Sequence, residues 1–162
     1  MKTLFLIALT TLFCAPMALA VEPVEIRYTG KIEIRSFEAG KPYLTNRKYL
    51  LKKVPPELSG MKFTALAGNA YTDFEARVAK GSVVYLALDD GKKSPATNAL
   101  HEYSNSLDRD GWKYFGRILV SDERMETLRV LVKTFKQDET VAFKGVGFVG
   151  SIVIAPALEI GR

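Results

Sequence analysis

SVVYLALDD, residues 82–90, places six apolar residues in succession, from Val83 to Leu88, between Gly81 and the sequence Asp89-Asp90-Gly91. β-Branched and aromatic side chains dominate the run, and turn-forming residues bound it closely, so it predicts a strand rather than a short helix. An uninterrupted apolar strand is covered on both faces. The run is therefore expected at the centre of a β-rich domain, with a turn at its end.

Outward from this strand, period-two patterns recur. Val24, Ile26 and Tyr28 alternate with charged residues, and Ile32 and Ile34 do so after Gly30. Residues 39–46 read as a loop broken by Gly40 and Pro42, and residues 48–54 as a strand that Pro55-Pro56 stops, because proline cannot donate to a ladder. Met61, Phe63 and Ala65 alternate with Lys62 and Thr64, and Phe74, Ala76 and Val78 with Asp73, Glu75 and Arg77. Lys80-Gly81 then predicts a tight antiparallel hairpin into the central strand. Further strands are expected from Trp112 to Val120, around Leu128, Val130 and Val132, at Val141 and Phe143, and at residues 152–154. On the first of these, simple alternation puts Trp112 and Tyr114 on one face and Phe115 and Arg117 on the other. Many short strands without long helices predict an all-β fold, an antiparallel two-sheet β-sandwich of the jelly-roll kind.

The longest irregular stretch is residues 91–111. Ser94 can cap a helix with Pro95 in its first turn, and Ala96, Ala99, Leu100, Tyr103 and Leu107 follow at helical spacing. One short amphipathic helix is expected there, packed over an end of the sheet.

Residues 1–20 have a different character. Lys2 precedes an apolar run that is interrupted by Thr10, Thr11 and Pro16 and ends in Ala18-Leu19-Ala20. This is the pattern of a cleaved signal peptide, and it is short of the roughly 20 apolar residues a spanning helix needs. A secreted or periplasmic protein is expected, with residues 21–162 forming a single sandwich domain and no integral membrane segment. Cys14, the only cysteine, lies inside the segment to be removed. Lipidation at Cys14 is disfavoured by the bulky Phe13 before it. The mature chain then has neither disulfide nor thiolate chemistry. About 142 residues suffice to hold a fold by burial alone.

Of 23 Lys and Arg residues, Lys2 falls in the removed segment, so against 18 Asp and Glu the mature charge is 22 − 18 = +4. The excess is spread out. Its densest run, Arg47-Lys48 with Lys52-Lys53, reads as a solvated strand edge that discourages aggregation. Nucleic acid would require a concentrated basic face with stacking aromatics, and it is not an expected partner.

The order of segments NRKYLLKKVPPELSGMKFTALAGNA, TDFEARVAKGSVVYLALDDGKKSP, GWKYFGR, LRVLVKTFKQDETVAFKG and SIVIAP resembles carbohydrate-binding-like β-sandwich modules, and the resemblance covers residues 37–155. These modules are attached to secreted polysaccharide lyases and glycoside hydrolases. Such modules are similar to the galactose-binding-like jelly roll. The resemblance implies two antiparallel sheets and a ligand surface made by loops or one concave face. The chain is expected to depart from the pattern in carrying no enzyme domain beside the module, and in its long helical stretch at residues 91–111.

Catalysis has little to work with. His101 is the sole histidine, whereas a triad needs His with a nucleophile and an acid and a catalytic zinc usually has several His ligands. A glycosidase needs two carboxyls roughly 5 to 10 Å apart across a cleft, and Asp89 and Asp90, as neighbours on an extended chain, point to opposite faces. Asp side chains end strands by bonding nearby amides, which is the expected role of this pair, with Asp90 the better ligand contact. The chain is expected not to be an enzyme.

Jelly-roll modules of the resembling kind hold structural calcium, and Asp108-Arg109-Asp110-Gly111 has the look of part of a calcium loop. An EF-hand is excluded, since the twelfth position counted from Ser106 is Arg117 rather than glutamate. A looser calcium site at Asp108 and Asp110 and a plain turn before Trp112 are both left open. Apart from this calcium, no cofactor is expected.

Sugar recognition uses an aromatic platform with a few polar groups. Tyr43 and Tyr71 lie in loops, Tyr103 near the helix end, and Trp112 at a strand start. With Asp90 and Arg117 they form the expected ligand-binding set. Two readings follow: an exported, non-catalytic module binding a glycan or other cell-surface polymer, or a periplasmic or envelope protein-interaction domain.

Overall fold

The computed structural model describes residues 21–69, 71–90, 97–121 and 127–161. The expected signal peptide, Cys14, and the expected helix cap at Ser94 and Pro95 lie outside the described residues.

The chain forms an all-β, two-sheet sandwich. The strands are β1 (Val24–Arg27), β2 (Glu33–Ser36), β3 (Leu51–Lys53), β4 (Lys62–Ala65), β5 (Phe74–Val78) and β6 (Val83–Asp89), followed by β7 (Lys113–Val120), β8 (Thr127–Thr134), β9 (Glu139–Phe143), β10 (Ile152–Ala155) and β11 (Leu158–Ile160). One helix, α1 (Thr97–Arg109), and a single 3-10 turn, Pro56–Leu58, complete the described elements. A four-stranded sheet runs β11-β1-β5-β9, and a seven-stranded sheet runs β2-β4-β10-β6-β8-β7-β3. The strands pair antiparallel except β1 with β11, which run parallel.

The residues 82–90 that decide the fold form the middle strand of the large sheet. Its two faces feed two separate cores. Val84, Leu86 and Leu88 point between the sheets, where they meet Val24, Ile26, Phe74, Ala76, Val78 and Phe143 of the small sheet and Leu100, Tyr103 and Leu107 of α1. Ala87, with the partly buried Tyr85, points to the outer face. There Phe37, Tyr43, Leu44, Leu51 and Leu58, from the chain between β2 and β4, fold back over Phe63, Ala65, Ile118, Val130 and Ile154. Each large apolar side chain so buried contributes about 1.5–3 kcal/mol relative to exposure. The doubled cover explains why no polar residue interrupts the run.

Two expectations are corrected. The link at Lys80-Gly81 does not close a hairpin, because β5 lies in the small sheet between β1 and β9 while β6 lies in the large one. The burial patterns carry the reason. β5 buries Phe74, Ala76 and Val78 and exposes Glu75 and Arg77, which suits an outer layer, whereas β6 needs cover on both sides. Gly81, at φ +85°, turns the chain across the core. Thr64, placed by alternation on a wet face, is buried, and its Oγ1 accepts the Val153 amide at 2.9 Å. The lysines at residues 52–53 do mark an edge, since β3 is the last strand of the large sheet and both side chains are exposed.

Candidate functional site

Strand β7 carries an irregularity that decides what its solvent face presents. Against β8, Tyr114 pairs with Leu131, then Gly116 pairs with Val130 and Arg117 with Arg129, so Phe115 is an extra residue in the ladder. This is a β-bulge, a device that re-aims side chains and recurs beside binding and active sites. Phe115 turns to the outer core, where its ring meets Tyr85 at 5.0 Å. Tyr114 and Arg117 therefore share the face on which α1 lies, contrary to simple alternation.

Around them a polar cluster assembles. The Arg117 Nε donates to both oxygens of Asp90 at 3.2 Å, and the Thr127 hydroxyl donates to Asp90 Oδ2 at 2.8 Å. The Asp90 side chain is only 6% exposed while that of Arg117 is 52% exposed, so a shielded carboxylate anchors an open guanidinium. Arg129 donates to Ser104 Oγ of α1 at 3.2 Å, and its guanidinium lies 5.8 Å from the centre of the Tyr114 ring. Tyr114 is 54% exposed, and Leu119 further along β7 is also open to solvent. An accessible aromatic ring flanked by two arginines and an oriented carboxylate offers a stacking surface with donors and acceptors around it.

Of the six expected ligand residues, Asp90 and Arg117 meet in this patch. The others are dispersed. Tyr43 is fully buried in the outer core. Trp112, only 1% exposed, packs edge-on against Phe135 and Phe143 in the inner core and cannot serve as an open platform. Tyr71 is exposed but solitary, with its hydroxyl 3.3 Å from Asn69 Oδ1.

Tyr103 is buried as part of α1, and its phenol oxygen accepts the Lys144 amide at 3.2 Å and lies 3.5 Å from Ser151 Oγ. Burial pushes its phenol above the usual value. Beside it, Asp73 accepts from Lys144 Nζ at 2.7 Å and from the Gly145 amide at 2.9 Å. The Lys144 ammonium, then the amide, hold the Asp73 carboxyl below its usual value, and the same pairing raises Lys144. Tyr103 and Trp112, with Asp110, line one side of a cleft of about 400 Å³ between α1 and β9, opposite the Lys133–Glu139 ion pair.

The run Asp108-Arg109-Asp110-Gly111 ends the helix. Trp112 N donates to Leu107 O at 3.0 Å and Gly111 N to Asp108 O at 3.2 Å, with Gly111 at φ +86°. This is a Schellman cap, and its apolar residues Leu107 and Trp112 both belong to the inner core. Of the two residues expected to hold calcium, Asp108 has its backbone carbonyl engaged by the Gly111 amide in this cap. Among the described residues no group of three His, Cys, Asp or Glu could hold a metal. His101 is exposed on α1.

Asp89 and Asp90 do face opposite ways, yet their anchors are tertiary. Asp89 is buried and accepts the amide of Phe148 at 3.1 Å, whereas Asp90 serves the patch. Sequence reasoning passed over Tyr114 and Arg129 as patch residues. The signal for them was Gly116, a lone glycine inside a strand pattern, which marks a bulge.

No family model and no curated protein matches this sequence. Among solved structures the chain is similar to a β-glucuronidase from glycoside hydrolase family 2, with a TM-score of 0.55 and 16% identity. The likeness covers 82% of this chain and 14% of that enzyme's chain. It is a likeness of fold, between this sandwich and a part of the enzyme about one domain in size. Among the described residues no helix is long and apolar enough to cross a membrane.

Proposed function

We propose that the chain is an exported, non-catalytic carbohydrate-binding module of the galactose-binding-like kind, taking a glycan or other cell-surface polymer on the patch around Tyr114. The observation that carries this is the bulge in β7, which sets an exposed tyrosine beside the Arg117–Asp90 pair and Arg129 on one face. Sugar rings stack their apolar faces on such a ring while paired charges hydrogen-bond the hydroxyls. The likeness to part of a glycoside hydrolase and the order of sequence motifs support the same direction. A binding role rather than hydrolysis fits the patch, because Asp89, the acid next to Asp90, is buried against Phe148 on the other side and the two cannot act across one cleft.

Affinity electrophoresis against a panel of plant, algal and bacterial polysaccharides tests the proposal. Retardation by at least one polymer is expected, weakened about tenfold by Tyr114→Ala, a loss of about 1.4 kcal/mol, with the fold intact. Trp112→Ala is expected to act instead through stability, at about 3–5 kcal/mol for a buried aromatic. If no polymer retards the protein, the proposal fails.

A second reading, a protein-interaction domain, is favoured by β9. This strand is the last in the small sheet, and its outer side borders the cleft lined by Tyr103 and Lys144. An extended partner segment pairing there would be a strand addition. Crosslinks from a captured partner that map to β9 would support this reading in place of the first.

A further inference from the structure

Arg117 and Arg129 are direct cross-strand partners in the β7–β8 ladder. Like charges directly opposite one another on a sheet are destabilising, so their juxtaposition on a solvent-facing patch calls for a counter-charge. Asp90 supplies one, but it is engaged through Arg117 Nε and is itself shielded. Among the described residues Arg129 finds neutral partners, the Ser104 hydroxyl and the Tyr114 ring. Two paired arginines thus share one sheet face with an exposed aromatic ring, and the one carboxylate recorded there is held by Arg117.

Building on the reading of the patch as a glycan site, we infer that its ligand is an acidic polysaccharide whose sugar carboxylate or sulfate ester sits between Arg117 and Arg129 while the ring stacks on Tyr114. The planar guanidinium fork matches a carboxylate or sulfate through two parallel hydrogen bonds. An anion bridging both arginines would also relieve the repulsion between them. The tyrosine selects a sugar bearing the charge over a small free anion, since an anion alone has no apolar face to stack. Asp90 has a separate part. By holding Arg117 through Nε it fixes the plane of that guanidinium, so less orientational freedom is lost on binding.

The test compares four polymers in affinity electrophoresis at about 0.15 M salt, where long-range attraction between exposed charges is largely screened. They are polygalacturonate, dextran sulfate, neutral dextran and duplex DNA. Retardation by polygalacturonate, dextran sulfate or both is expected, and which of the two retards the protein identifies the charged group. Arg129→Gln is expected to weaken that binding about tenfold, as loss of a hydrogen bond to a charged group does. Arg117→Lys should weaken it as well, since it keeps the charge but loses the fork. Melting curves of each variant separate binding loss from unfolding. On the unmutated protein, modification of arginine by phenylglyoxal, mapped by peptide mass, should be suppressed at Arg117 and Arg129 by the retarding polymer.

Equal retardation by neutral dextran that survives Arg129→Gln would overturn the acidic-ligand inference and leave glycan binding standing. Equal retardation by DNA would overturn it in favour of general polyanion attraction. No protection of either arginine from phenylglyoxal, with binding intact, would place the ligand elsewhere. Retardation by none of the polysaccharides, here and in the wider panel above, would remove the glycan reading itself.

Discussion

Asp73 and Tyr103 hold the loop at residues 144–145 from opposite sides. Tyr103 takes the Lys144 amide from within the core, and Asp73 takes the Lys144 ammonium and the Gly145 amide from the surface. The pH dependence follows from the carboxylate. Its pKa is lowered in the folded chain, first by Lys144 and then by the Gly145 amide. The folded state therefore favours the ionised form. The resulting stability is present above the ordinary aspartate value of about 3.9, and it is lost as pH falls through the lower folded value. Asp73→Asn removes this proton linkage. Urea midpoints measured from about pH 5 down to pH 2 should fall less steeply for the variant than for the natural chain. Parallel slopes would mean that the pair is too well solvated to matter, as many surface ion pairs are.

At the scale of elements, the end of α1 is fixed by Gly111, whose φ of +86° no other residue type adopts freely. A Cβ added there would meet nothing within 4 Å, so substitution tests conformation alone. Gly111→Ala is expected to lower stability by about 1 kcal/mol, and Gly111→Asn by less, since asparagine tolerates the left-handed region. Equal midpoints for alanine and glycine in chemical denaturation would remove the cap argument.

The helix and most strands were legible in the sequence because each has its own periodicity: Leu100, Tyr103 and Leu107 at helical spacing, Phe74, Ala76 and Val78 at strand spacing. What was not legible depends on relations between elements. Alternation shows that β5 has one wet face, but not which sheet it joins, so the arch at Gly81 was read as a hairpin. A loop aromatic such as Tyr43 is read as free when the chain around it lies over a second core. The site was half legible: the charges Asp90 and Arg117 stood out, whereas Tyr114 joins them only through the one-residue slip at Phe115.

For the molecule as a whole, the two cores imply an uneven distribution of stability. The large sheet is buried on its inner face by the small sheet and α1, and on its outer face by the chain between β2 and β4. Its middle strand β6 is paired along both edges, with β10 and β8. Opening β6 would require both cores to come apart, which is global unfolding. The small sheet shares only the inner core, and its outer strands β9 and β11 are each paired with one named strand. Protection from hydrogen exchange should follow this order, because amides that open only by global unfolding exchange slowest. In native-state exchange, the amides of Val84, Leu86 and Leu88, with those of β8 and β10, are expected to form the slowest group and to share one denaturant dependence. Those of β9 and β11 should exchange through smaller openings with a weaker dependence, since less surface is exposed. If β1 and β5 outlast β6, or if all strands exchange as one unit, the two-core account of stability is wrong and the inner core alone holds the sandwich together.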